Sequence, residues 1–195
     1  NWSAGGHSQY NAHSIGVLAN GRGTSAHFGV TDEVDLITGT FSKSFASIGG
    51  FVGGDDDVMH YIQHHARSLI FSASLPAANT ATVLAALDII ENEPGYVQQV
   101  WDNAEFMKKG LLELGFDIGD SQTPIIPIIV GDDMRCIFFW KALFEAGLFT
   151  NPVIPPAVPP NKALLRTSYM ATHTRDQLER ALNILDEVGH RLGII

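Results

Sequence analysis

Apolar and polar positions change period several times along the chain, and each change predicts an element. Residues 34–40, V-D-L-I-T-G-T, form a short β-prone run, and a second run at 50–54 centres on Phe51 and Val52. Between them, F-S-K-S-F-A-S-I-G reads as a tight loop with Lys43 near its middle. Asp55, Asp56 and Asp57 offer N-caps for a helix running through His60, His64 and Arg67. Residues 69–72 read as a short strand, and 77–93 as a long apolar helix stopped by Pro94 and Gly95.

The period then stays helical over 96–114, where Val97, Val100, Trp101, Ala104, Met107, Leu111 and Leu114 recur at helical spacing and Gly115 ends the run. Residues 123–130 are β-branched and strand-like, with Pro127 pointing to an edge or a bulge. A helix over 134–146 closes at Gly147, and five prolines between 152 and 160 require an extended loop. Residues 163–169 read as a strand, and Thr174 with Gln177 makes a capping box for the last helix. Residues 1–10 are polar, rich in Gly and Ser and without period, and read as loop or as foreign sequence. Strands and helices alternate without an internal repeat, which gives an α/β or α+β class. The best boundary lies near Pro94, separating 1–94 from 95–195.

Composition narrows the function classes. A chain of 195 residues with 45% hydrophobic and 17% charged positions is ordinary for a globular protein able to bury a core. No apolar run approaches the roughly 20 residues of a membrane span, and no secretory leader is legible. The net charge of −9 disfavours nucleic acid as a partner, though local donors can still hold an anionic cofactor. The single cysteine, Cys136, lies among apolar residues, reads as core, and fits a reducing, cytoplasmic compartment.

Lys43 is the chemically informative residue, and three interpretations compete for it. A phosphate loop fails because Ser42 stands where that motif needs glycine. A solvated surface lysine is the ordinary case, but this loop is poor in other charges and flanked by strands that look buried. A Schiff-base lysine needs an amine that loses its proton readily, with hydroxyls nearby for a cofactor phosphate. Thr40, Ser42 and Ser44 supply such hydroxyls. His60 and His64 lie four apart on a helix without the glutamate of a zinc-protease motif and read as solvated, so no metal site is expected.

G-T-F-S-K-S followed by I-G-G-F-V-G-G resembles the cofactor-lysine region of the α-oxoamine synthase family. The resemblance extends to A-H-S-I-G-V-L at 12–18, G-R-G at 21–23, H-F-G at 27–29 and I-F-S-A-S-L-P at 70–76. It continues through T-P-I-I-P-I at 123–128 and L-L-R-T-S-Y-M-A-T-H-T at 164–174, in family order. It implies a fold-type-I, aspartate-aminotransferase-like α/β fold: the last part of a large, mostly parallel domain, then a small C-terminal α+β domain. It also implies pyridoxal 5′-phosphate (PLP) as cofactor, an amino acid and an acyl-CoA as substrates, and condensation that is usually decarboxylative. Within the family the wording is closest to bacterial serine palmitoyltransferases, then to 2-amino-3-ketobutyrate CoA ligase and 8-amino-7-oxononanoate synthase.

Residue by residue, the resemblance makes Lys43 the aldimine lysine that also moves the α-proton. Thr40 and Ser42 become phosphate-binding hydroxyls, with turn capping as their structural alternative. His13 becomes the contact to the cofactor's ring oxygen. Ser72 and Ala73 correspond to positions that reach the phosphate of a neighbouring subunit's cofactor, implying a homodimer with shared sites. Arg166, in a strand with Leu164 and Ser168 on the same face, corresponds to the arginine that holds the substrate carboxylate; an internal salt bridge competes. The match breaks at Tyr10, where the family has the aspartate that keeps the pyridine nitrogen protonated. The family's upstream half is also absent, so the chain alone is expected to be incomplete and to expose apolar surface; a non-catalytic fragment or dimerisation scaffold is the alternative of another class.

Overall fold

Backbone pairing sorts the strands into two three-stranded sheets in the computed structural model, which describes residues 7–195. Residues 1–6, part of the polar opening stretch, lie outside the described residues. The chain divides into two compact units, 1–97 and 98–195.

The first unit is built on β1 (Ser8–Asn11), β2 (Leu36–Thr40) and β3 (Gly50–Gly54), in the order β1-β2-β3. β1 runs parallel to β2 with Asn11 opposite Gly39, and β3 returns antiparallel with Gly50 opposite Thr40. Parallel neighbours need a long crossover, and residues 12–35 supply it through a short helix, α1 (Thr24–Phe28), and a 3-10 turn at Thr31–Glu33. The β2–β3 pair is glycine-tight: a Cβ on Gly50 would strike the carbonyl oxygen of Gly39, and one on Gly39 would strike the ring of Phe51.

Three helices follow, α2 (Asp56–His65), α3 (Arg67–Ile70) and α4 (Ala77–Asn92). Asp55 takes the extended N-cap conformation but its side chain makes no capping bond, so the acidic first turn acts through the helix dipole. Two expectations are corrected here. S-Q-Y-N is a strand, because β2 offers it a partner that its own polar pattern did not announce. Residues 69–72 are not a strand: Arg67–Ile70 closes a helical turn, with Phe71 N–H bonded to the Arg67 carbonyl. Across described residues up to 97, only Phe45 and Val97 are buried hydrophobics. α4 buries none of its side chains, leaving Leu84, Leu87 and Ile89 in solvent.

The second unit contrasts with this. α5 (Gly95–Glu113) leads into the antiparallel sheet β4-β6-β5, made of β4 (Ile125–Gly131), β6 (Ala163–Ser168) and β5 (Asn151–Val153). α6 (Asp133–Glu145) and α7 (Arg175–Arg191) join α5 around one core containing Met107, Leu111, Ile128, Phe139, Leu165 and Leu185. Pro127 sits on edge strand β4, where its missing N–H costs no ladder bond, and a register shift follows between Ile129 and Gly131. The proline-rich stretch is less irregular than expected, since Pro152 lies within β5 opposite Leu165. β5 is the other edge, which again tolerates proline. The Thr174–Gln177 capping box at the start of α7 is complete.

Cys136 is fully buried in this core, and burial first, then the charge of Asp133, pushes its thiol up from 9.0 to about 11. Because the folded value exceeds the unfolded one, this group's share of stability is complete below pH 9 and is lost as pH rises through about 11. At pH 8 the native thiol should therefore resist iodoacetamide and react only on denaturation, as followed by mass spectrometry; rapid native labelling would contradict the packing. The exposed apolar surface of the first unit predicts that the isolated 195-residue chain binds a hydrophobic dye and self-associates. Sedimentation showing a monodisperse, cooperatively melting monomer would refute this.

Candidate active site

β1 and β2 end side by side, and the segments that leave their carboxyl ends carry His13 and Lys43. Loops at this edge of a parallel pair are the usual place for a ligand in α/β folds. The lysine loop is held from both sides. Phe41 N–H bonds to the Gly49 carbonyl and Ser47 N–H to the Phe41 carbonyl, each at 2.9 Å. Phe45 is its buried anchor, packed edge-on to Phe41 at 5.4 Å between centroids, while Phe41 stacks on Phe51. Ser47 and Asn79 exchange hydrogen bonds at 3.2 Å, tying the loop to the first turn of α4.

The polar side chains of the loop converge. The hydroxyls of Thr40 and Ser42 are 2.9 Å apart, and Lys43 Nζ donates to Ser42 Oγ at 3.4 Å. Thr40 also accepts from the Ser42 N–H and donates to the Gly49 carbonyl, both at 3.3 Å, so its turn-capping role is present as well. Ser44 is engaged differently from the hydroxyl role expected of it: its Oγ donates to the Ile15 carbonyl at 2.7 Å. That bond locks the lysine loop to the segment carrying His13, two residues before Ile15. Gly16 completes the contact, with positive φ and no room for a Cβ beside the Ser44 side chain.

Asn11 is a residue the sequence analysis passed over. It is buried, and its Oδ1 accepts from Ser14 Oγ at 2.6 Å and from Thr24 N–H at 3.4 Å. It thus folds the His13 segment back onto the start of α1. A polar residue directly before A-H-S was the available signal. Tyr10, its neighbour, points out of the sheet, 68% exposed and opposite Thr38.

The remaining expected positions lie elsewhere. Ser72 and Ala73 are exposed between α3 and α4, with no hydrogen bond to the lysine loop among the described residues. Arg166 belongs to the second unit. In β6 Ala163, Leu165 and Thr167 face inward, which leaves Arg166 on the outer face with Leu164 and Ser168. It is exposed and makes no ion pair among the described residues, so the competing internal salt bridge is not found there. Below it, Thr167 Oγ1 and the Tyr169 hydroxyl are 2.7 Å apart, and burial pushes the Tyr169 phenol up to about 12 despite that bond.

A phosphorylated carbonyl cofactor needs hydroxyl donors for its phosphate and an amine for its aldehyde. Two hydroxyls and an amine, exposed and converging at a strand end, fit its phosphate and aldehyde ends. β1 carries Tyr10, not a carboxylate, at the position where the resemblance puts the acidic partner of the ring nitrogen.

The aminotransferase class I and II family model matches residues 11–185. A serine palmitoyltransferase from Bacteriovorax stolpii is 51% identical over 177 residues, covering 90% of this chain and 42% of the relative. An 8-amino-7-oxononanoate synthase from Thermoanaerobacter pseudethanolicus is 39% identical, covering 94% of this chain and 47% of the relative. A solved structure described as SPT with PLP internal aldimine superposes with a TM-score of 0.92 at 32% identity, covering 96% of this chain and 48% of that one. The chain thus spans about half the length of the relatives it matches.

The Ser44–Ile15 bond makes a local prediction. Ser44→Ala should cost about 1 kcal/mol, the usual net worth of one hydrogen bond. It should also speed proteolysis within 41–49 while leaving the second unit's amide-exchange protection unchanged. Unchanged cleavage there would show that the bond does not hold the two loops together.

Proposed function

The chain belongs to the aminotransferase class I and II family and has its fold-type-I architecture, and on that premise we propose that the full-length protein is an α-oxoamine synthase. It condenses an amino acid with an acyl-CoA, in the manner of serine palmitoyltransferase, with PLP as cofactor. The observation that carries this is the convergence of Lys43 Nζ with the Thr40 and Ser42 hydroxyls at the carboxyl end of β2, bonded through Ser44 to the His13 segment.

When bound, the cofactor supplies an electron sink for charge developing at the amino acid's α-carbon. The protein's own groups do the rest. Thr40 and Ser42, whose hydroxyls lie 2.9 Å apart, would donate to the cofactor phosphate. Lys43 would hold the cofactor at its aldehyde end, and its Nζ would be the group that accepts the α-proton. His13, exposed just past β1, would contact the ring oxygen. Arg166 holds the substrate carboxylate bidentately, for which an exposed guanidinium without an ion-pair partner among the described residues is suited. Ser72 and Ala73 serve a second subunit's cofactor in a homodimer. The uncovered apolar side of α4 and the exposed segment around Phe71 support such an assembly. The unpaired Cys136 supports a cytoplasmic setting.

Tyr10 favours one qualification of rate. Without a carboxylate there, the chain would offer no acidic group at Tyr10 to hold a proton on the ring nitrogen, and the sink would be weaker. The test uses the full-length protein with L-serine and palmitoyl-CoA, against glycine, alanine and shorter acyl-CoAs. Serine with palmitoyl-CoA should release CoA fastest, and Lys43→Ala should abolish release. Arg166→Ala should raise KM for the amino acid on the order of 10- to 100-fold, the worth of a charge-assisted pair of bonds. Tyr10→Asp should raise kcat. Preference for another pair would move the protein to the ketobutyrate ligase or oxononanoate synthase branch, and no CoA release with any pair would mark a non-catalytic scaffold.

A further inference from the structure

α2 carries a pair of side chains that the proposed activity does not use. His60 and His64, one helical turn apart, place their rings 4.3 Å apart between centroids with a 34° tilt, both in solvent. His64 Nδ1 lies 2.7 Å from the His60 backbone carbonyl. A carbonyl only accepts, so Nδ1 carries a proton, and in the neutral ring it is Nε2 that has the lone pair for a metal. Anchoring one ring nitrogen on a carbonyl is how proteins fix the tautomer of a metal-ligating histidine. We propose that His60 and His64 together bind one divalent transition-metal ion on the outer face of α2.

Adjacent imidazoles at i and i+4 can converge on one ion at metal–nitrogen distances of about 2.0–2.1 Å. The acidic first turn of the same helix, Asp56 and Asp57, and the chain's net charge of −9 both favour a cation there. No group of three or more His, Cys, Asp or Glu converges among the described residues, so water completes the coordination. His65 supplies the contrast. Its Nδ1 is anchored the same way, on the Tyr61 carbonyl at 2.9 Å, but its ring stacks on the phenol ring of Tyr61 at 4.0 Å between centroids, not on an imidazole.

The test is calorimetric titration of the untagged full-length protein with Cu2+, Ni2+ and Zn2+ chlorides, beside His60→Ala, His64→Ala and His65→Ala. One site per chain is expected, with Cu2+ bound tightest as imidazole ligands dictate. Losing either paired ring should weaken it on the order of 100-fold, because the second ring binds intramolecularly. His65→Ala should leave the affinity unchanged, and circular dichroism should show that α2 survives each substitution. Equal affinity in the His60→Ala/His64→Ala double variant, or an equal loss in His65→Ala, would overturn the assignment.

Discussion

The parallel pairing of β1 with β2 is the constraint on which the candidate site depends. It fixes Asn11 opposite Gly39, so the two chain segments leaving those strands must start side by side. Everything chemical then follows from short-range detail. Thr40 ends β2 and caps the turn, the turn presents Ser42 and Lys43, and Ser44 reaches across to the Ile15 carbonyl. A one-residue slip in register would move every side chain of β1 to the opposite face and break this arrangement. The glycines at 39 and 50 keep β3 close enough for Phe41 to stack on Phe51 beneath the loop.

The two units are stabilised very differently, and the difference has functional meaning. Residues 98–195 close a core around Phe139, Leu143 and Leu165, all fully buried. Residues up to 97 hold a three-stranded sheet with little apolar burial and leave α4 without a single buried side chain. A sheet of this size gains independent stability only with a packed hydrophobic face. The lysine-bearing unit therefore needs further apolar surface to pack against, consistent with a chain spanning about half the length of its relatives.

Much of the architecture could be read from period and punctuation. The strands at 34–40 and 50–54, the apolar helix before Pro94, and the capping box at Thr174 each carry a local physical signal that the fold respects. The failures are equally physical. S-Q-Y-N has no strand pattern of its own and is made a strand by its partner. L-I-F looks extended because it is apolar, yet Ala66 and Arg67 carbonyls capture its amides. Pro152 enters a strand because that strand is an edge. Lys43 and its hydroxyls stood out because chemistry and loop coincide in nine residues, and the fold brings Lys43 Nζ and the Thr40 and Ser42 hydroxyls together. Exposure of Arg166, the tie through Ser44 and the burial of Asn11 depend on which face a side chain takes, which no local pattern specified.

The central claim is that Lys43 is the amine that carries the cofactor. The most direct measurement is borohydride reduction of the PLP-loaded full-length protein followed by peptide mass mapping. The account predicts one pyridoxyl group per chain, on Lys43 within the peptide spanning 41–49, and none in Lys43→Ala. Modification spread over surface lysines, or unaltered in Lys43→Ala, would contradict it.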